Sequence, residues 1–146
     1  KLIGICFGHQ LIAEALNGRV ENSAKGWGVG VKNFEIIKKR PWMQPEQNKV
    51  ALLFSHQDQV VQLPPGAELI AQDEFCPNQM FQIGDHILAL QGHPEFDVKF
   101  AKDRLISRKE KINPETYRIA MNSFDKPQDN RVLAEWIRNF AQTGVD

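Results

Sequence analysis

The chain has 146 residues, 42% of them hydrophobic and 25% charged, and its eighteen basic and eighteen acidic side chains leave a formal net charge of zero. That length suits one domain with a sizeable core, and the balanced charge lacks the basic excess of a nucleic-acid binder. The two cysteines, Cys6 and Cys76, show no Cys-x-x-Cys spacing, which excludes a disulfide scaffold and fits a reducing, cytoplasmic setting.

No stretch approaches the roughly eighteen uninterrupted apolar residues that would cross a bilayer, so no membrane partner is expected. The opening Lys1-Leu-Ile-Gly-Ile-Cys6 is too short in its apolar part for a signal peptide and has no small-residue cleavage site. In chain order, Leu2 to Ile5 is a β-branched apolar run without alternation, the pattern of a strand buried on both faces. A glycine-bounded turn spans Gly4 to Gly8. A helix follows over His9 to Asn17, with Leu11, Ile12, Ala15 and Leu16 at helical spacing and Gly18 as its stop.

The middle of the chain is strand-like. Gly28 to Ile37 and Val50 to Phe54 are β-rich, and the turn Pro64-Pro-Gly66 feeds a strand over Ala67 to Gln72. Gln79 to Ile83 and Ile87 to Gln91 predict a hairpin around the dipeptide Gly84-Asp85. Lys38-Lys-Arg40 reads as a solvated strand end rather than a phosphate site.

The last third is helical. Phe96, Phe100, Ala101 and Leu105 share one face. Asn113-Pro114 is an N-cap followed by proline at the first helical position, with Tyr117, Ala120, Met121 and Phe124 continuing that helix. Val132, Leu133, Trp136, Ile137 and Phe140 form a third stripe, ended by Gly144. These three helices are expected to pack on the sheet. No repeat, low-complexity segment or linker divides the chain, which reads as a single domain over 1–146. A chain opening directly in a buried parallel strand further predicts that the native protein extends upstream, the alternative being that another chain or segment completes the sheet, because the sheet needs neighbouring strands.

Two short motifs carry chemistry. Gly4-Ile-Cys-Phe-Gly8 puts a cysteine between a strand and a helix, where glycines allow a nucleophile elbow. A helix N-terminus there stabilises an anion, and the amide of Phe7 would face an oxyanion. The same five residues also suit a structural cysteine in a glycine-rich turn. Gly92-His-Pro-Glu95 follows the strand ending at Gln91. A cysteine nucleophile needs an imidazole to move protons, and that imidazole needs a carboxylate to orient it. In extended backbone, which Pro94 favours at His93, Glu95 projects to the same side as His93. The competing reading of His93-Pro-Glu95 is a helix-initiating loop. The order Cys6, His93, Glu95 differs from the nucleophile–acid–histidine order of α/β-hydrolases.

With these motifs, and with Gly26-Trp-Gly28 and Ser55-His-Gln-Asp58, the chain resembles the class I, or triad, glutamine amidotransferases. The resemblance runs over roughly the first hundred residues and is nearest to stand-alone proteins similar to the glutaminase domain of GMP synthase. It implies an α/β, flavodoxin-like fold: a mostly parallel sheet flanked by helices, with a small antiparallel hairpin element and a helical C-terminal tail. The N-terminal strands and glycine-rich oxyanion loop of the family have no counterpart here.

The resemblance also implies roles. Cys6 would attack the side-chain amide of glutamine to give a thioester, His93 would protonate the departing ammonia and then activate water, and Glu95 would orient His93. The backbone of Phe7 would supply an oxyanion donor, Gln10 would help hold the substrate, and Ser55, His56 and Gln57 would lie in the loop gripping its amino-acid end. No cofactor and no metal is implied. Partners would be glutamine itself and a separate synthase subunit that accepts ammonia. Two other functions compete: a free-standing γ-glutamyl amide or peptide hydrolase using the same chemistry, and a non-catalytic or regulatory module keeping the fold. Cys76, His9 and the exposed-turn His86 read as structural residues, as do Trp27 and Trp136.

Overall fold

The structure is a computed structural model that describes residues 1–144. Eight strands and four α-helices succeed one another as β1 (Leu2–Ile5), α1 (Phe7–Ala15), β2 (Arg19–Asn22), β3 (Gly28–Ile36), β4 (Lys49–His56), β5 (Asp58–Gln62), β6 (Ala67–Gln72), β7 (Met80–Ile83), β8 (Ile87–Leu90), α2 (Val98–Ser107), α3 (Pro114–Ser123) and α4 (Asn130–Gln142), with a 3₁₀ turn at Lys109–Lys111. Six strands make one mixed sheet in the order β1-β8-β7-β6-β3-β4, and β2 pairs with β5 in a small antiparallel ribbon. The α/β class expected from the sequence holds. Its parallel part among the described residues is the β1–β8 ladder, while the antiparallel part, expected as a hairpin, runs from β8 through β7, β6 and β3 to β4.

Side-chain alternation explains the layers. In β4, Val50, Leu52 and Phe54 point to one face and Ala51 and Leu53 to the other, and all five are buried. The first face packs on Leu133, Trp136 and Phe140 of α4 together with Trp42 and Met43. The second packs on Ala101 and Leu105 of α2, Ile112, and Ala120 and Phe124 around the end of α3. A helix on each face is why the run reads as continuously apolar. Trp136 is fully buried; truncating a core Trp to Ala typically costs about 3–5 kcal/mol.

Side-chain caps start α2 and α3, the second where the sequence predicts, whereas Phe96, expected on the face of α2, lies just before it. Asp97 accepts a hydrogen bond from the amide of Phe100 at 2.6 Å, and Asn113 accepts from Glu115 at 2.9 Å with Pro114 next in line. Asp129, ahead of α4, instead trades bonds with β4: its carboxylate accepts from Ala51 N at 2.7 Å and its own amide donates to Ala51 O at 2.8 Å. Gly30 adopts φ +81°, and a Cβ there would lie 2.5 Å from Ser123 Oγ and 2.9 Å from the Ala120 Cα. Glycine thus lets α3 sit directly on β3, where Ser123 Oγ takes the Val31 amide at 2.8 Å.

Four expectations need correction. The helix after the elbow begins at Phe7 and ends at Ala15, and the left-handed residue that stops it is Asn17 (φ 66°), not Gly18; Gly18 is needed for close approach, since a Cβ would meet Gln62 O at 2.7 Å. The hairpin turn has three residues, Gly84 to His86, because Ile83 pairs with Ile87. The ribbon of β2 and β5 is not expected from the sequence, since Arg19–Asn22 is mostly exposed and shows no apolar periodicity. Ser55 and His56, expected in a loop, close β4, with Gly28 and Val29 of β3 opposite them. The basic run behaves as a solvated strand end: Lys38 and Arg40 pair with Glu68, and Lys39 with Glu46.

The decisive feature of the sheet is its curl. β4 lies at the far edge from β1, yet Leu53 forms an isolated bridge with His93, whose amide donates to Leu53 O at 2.9 Å. A Cβ on Gly92 would strike Phe54 and Leu52, so glycine there lets the segment after β8 settle against β4. The ladders fix β1, β8 and β4 in one common direction. Their C-terminal ends therefore share one edge of the sheet, and Cys6, His93 and Ser55 arrive together.

Candidate active site

Cys6 is the N-cap of α1 with φ 50° and ψ −100°, a conformation that non-glycine residues rarely adopt. Its amide donates to Leu90 O at 2.9 Å and its carbonyl accepts from Gln10 N at 3.1 Å, so β8 and the first helical turn hold the strain. A Cβ on Gly4 would lie 2.7 Å from the Gly8 carbonyl carbon. Strand and helix meet too closely there for any side chain. The elbow geometry expected of Gly4-Ile-Cys-Phe-Gly8 is present, and the Phe7 amide falls in the first turn of α1, where helix amides lack intrahelical partners.

His93 Nδ1 lies 2.6 Å from Glu95 Oε1. The reach comes from a turn at Pro94-Glu95 rather than from extended backbone. With Nδ1 engaged, Nε2 is the nitrogen left to face Cys6, whose influence on the ring is to raise its pKa. Burial pushes the imidazole towards its neutral form, but the hydrogen bonds with Cys6 and Glu95 and their charge outweigh it, and the pKa is pushed up to about 9. For Glu95, burial acts upwards, yet the bond to His93 holds its pKa below the ordinary value. Phe96 stacks flat on the His93 ring at 3.7 Å between centroids, with Phe100 edge-on behind it. The stacked Phe96 ring fixes the plane of the imidazole.

The other sequence-predicted residues divide. Gln10 Nε2 donates to Asp58 O at 2.7 Å and to Gln91 Oε1 at 3.2 Å, and Gln91 Nε2 reaches Cys6 Sγ at 3.4 Å. Gln10 is thereby tied to Cys6 through Gln91, a buried residue that the motifs do not single out. Its one signal is a polar side chain ending the apolar run Ile87 to Leu90, just before Gly92-His93. Ser55 Oγ accepts from Arg108 Nη1 at 2.7 Å, and the Arg108 guanidinium lies over Trp27 at 5.0 Å. Gln57 Nε2 donates to Asn22 Oδ1 at 3.4 Å.

His56 is buried, with Nε2 3.3 Å from Gln59 Nε2. Burial, with the charges of His9, Lys32 and His93 after it, pushes its pKa down to about 3, so it sits in the wall as a neutral ring. His9 is wholly buried against Phe81 and is pushed down to about 4, chiefly by burial. Cys76 is buried and its thiol is pushed up to about 12, by burial first and then by Asp73. Such a thiol is inert at neutral pH. His86 is exposed at the hairpin turn, 3.5 Å from Asp85. A cavity of about 630 Å³ lined by Lys32, Phe34, Asp73 and Phe75 contains neither Cys6, His93 nor Glu95. Among the described residues no group of three or more His, Cys, Asp or Glu is placed to hold a metal ion.

A strained cysteine at a strand–helix elbow, beside a histidine–glutamate pair in the segment that follows the neighbouring strand, agrees with the family to which the sequence assigns the chain. The chain belongs to the class I glutamine amidotransferases: the family model "Glutamine amidotransferase class-I" matches residues 1–112. It is 33% identical over 142 residues to gamma-glutamyl peptidase 3 of Arabidopsis thaliana, an alignment covering 91% of this chain and 57% of the relative. It is also 35% identical over 95 residues to one subunit of the glutamine-hydrolysing GMP synthase of Thermococcus kodakarensis, covering 64% of this chain and 50% of that protein. In fold it matches a glutamine amidotransferase from Thermotoga maritima with a TM-score of 0.73 at 22% identity, over 97% of this chain and 62% of that one. The chain spans about half the length of the curated relatives it matches.

Proposed function

We propose that the protein hydrolyses the side-chain amide of glutamine through a cysteinyl thioester and releases ammonia. In this reading residues 1–146 form part of a single class I glutamine amidotransferase domain. The observation that carries it is the pairing of the Cys6 elbow with His93 held by Glu95 at 2.6 Å. Cys6 sulfur attacks the amide carbon, and the Phe7 amide donates to the oxygen that gains charge. The His93 imidazolium, charged at neutral pH with its pKa near 9, gives its proton to the departing ammonia. The neutral ring then takes a proton from water, which attacks the thioester to release glutamate and restore Cys6. Glu95 keeps the ring oriented in both half-reactions. Gln10 positions the substrate through its link to Gln91, and Ser55, His56 and Gln57 form the wall at the substrate's amino-acid end. A separate synthase subunit would consume the ammonia, and a cytoplasmic setting would keep Cys6 reduced.

A second reading, hydrolysis of γ-glutamyl peptides, has support of its own. The likeness to an Arabidopsis gamma-glutamyl peptidase extends over 142 residues, and the chemistry is identical except that an amine departs in place of ammonia. Incubating the complete native protein with a glutamine-analogue electrophile should label Cys6 and leave Cys76 untouched, as read by peptide mass spectrometry. An unlabelled Cys6 would sink both readings. Comparing turnover of glutamine and γ-glutamyl peptides, with and without candidate synthases, separates them.

A further inference from the structure

Arg108 caps the end of α2, a place where a basic side chain usually faces the last helical carbonyls. Its guanidinium turns instead to the site edge of the sheet. Nη1 donates to Ser55 Oγ at 2.7 Å and approaches the Ser55 carbonyl at 3.5 Å, while the plane lies over Trp27. Ser55 stands two residues along β4 from Leu53, the residue bridged to His93, so it lies about 7 Å beyond the histidine's own strand contact.

The charge around it is unbalanced. Among the described residues, some Lys and Arg side chains, such as Arg19, Lys39, Lys99 and Arg118, have carboxylates within 3.0 Å, and others, such as Lys102, Lys109 and Arg131, have none. Arg104, in the last turn of α2, and Arg108, at its C-cap, also have none within ion-pair distance, and Arg104 Nε is buried without a partner. Burial, and after it the charge of Arg104, lowers the proton affinity of Arg108, while the Cys6 sulfur acts the other way. Two neighbouring guanidiniums repel, and neither Ser55 nor Trp27 brings a negative charge to offset that.

We propose that Arg108 is a substrate-specificity residue that binds a carboxylate of the γ-glutamyl substrate, steadied by Ser55 and Trp27 so that its remaining N–H groups face the Cys6 site. The proposal rests on the hydrolytic reading above and names what the site recognises. A planar guanidinium fork suits a carboxylate. Two sources offer one: the α-carboxylate common to glutamine and all γ-glutamyl compounds, and the terminal carboxylate of a peptide's departing residue.

The test uses the complete native protein and its Arg108→Gln and Arg108→Lys variants with glutamine, γ-glutamylglycine and γ-glutamylglycinamide. Arg108→Gln is expected to raise KM by about 10- to 100-fold, with the loss falling on KM rather than kcat, Cys6 still labelled by the electrophile, and partial recovery in Arg108→Lys. A rise with all three substrates assigns the α-carboxylate; a rise confined to γ-glutamylglycine assigns the terminal one. An unchanged KM for every substrate, or a fall in kcat and melting temperature without a change in KM, overturns the proposal while wild-type turnover leaves the hydrolytic reading standing. Absence of both turnover and Cys6 labelling in the wild type overturns the two together.

Discussion

The elbow at Cys6 and the corner formed by Ser55, Arg108 and Trp27 lie on the same sheet edge but are built in opposite ways. The elbow is local: a few residues fix it, because Gly4 has no side chain to block the close approach of the Gly8 backbone beside Cys6, which sits at φ 50°. The corner joins the end of β4, the loop before β3 and the end of α2, three segments distant in sequence. A local, strained device suits the chemical step, where sub-ångström placement of the nucleophile matters. An assembled surface suits recognition, where several segments must surround a substrate.

That contrast predicts different kinetic signatures, and the largest effect belongs to the elbow. Cys6→Ser should lower kcat by a factor on the order of 10⁶ and abolish electrophile labelling, while circular dichroism and melting temperature stay close to wild type. Retention of more than a few per cent of turnover would remove Cys6 from the chemistry.

Next comes the carboxylate. Glu95→Gln should reduce ammonia release in the first turnover by about 10²–10⁴-fold. It should also move the alkaline limb of the pH–rate profile. The bond and charge of Glu95 help hold the His93 pKa near 9; without them the ring loses its proton at lower pH, so the acid needed for the leaving group disappears sooner. The limb is expected to fall by about one pH unit. A limb that stays in place would separate Glu95 from the titration of His93.

The smallest effect belongs to the corner. Ser55→Ala removes the acceptor that steadies Arg108 at 2.7 Å and should raise KM about 3- to 10-fold with kcat nearly intact. Should Ser55→Ala instead depress kcat as Glu95→Gln does, the division between a chemical elbow and a recognition corner would fail.

Much of the fold was legible in the sequence. β6 falls on Ala67–Gln72 as the turn signal and apolar pattern require, and the caps at Asn113 and Gly144 begin or end helices where expected. The exceptions have physical causes. β2 is mostly exposed and β5 buries the adjacent Gln59 and Val60 rather than alternating, so neither leaves a periodicity to read. Asn17, not Gly18, takes the left-handed turn because its short amide side chain tolerates that conformation.

The sequence by itself singled out Cys6, His93 and Glu95 as the candidate nucleophile, base and orienting carboxylate, because each motif is a short stretch whose residues constrain one another: Gly4 close to Cys6, and proline between His93 and Glu95. It could not reveal that β4 curls round to bridge His93, that Gln91 links Gln10 to the sulfur, or that Arg108 lies on Ser55 and Trp27. Those contacts join residues as far apart as Gln10 and Gln91, 81 positions, or Cys6 and Gln91, 85 positions. Only the closing of the sheet brings them together, since side-chain reach is a few ångströms and chain separation carries no information about it until the strands are paired.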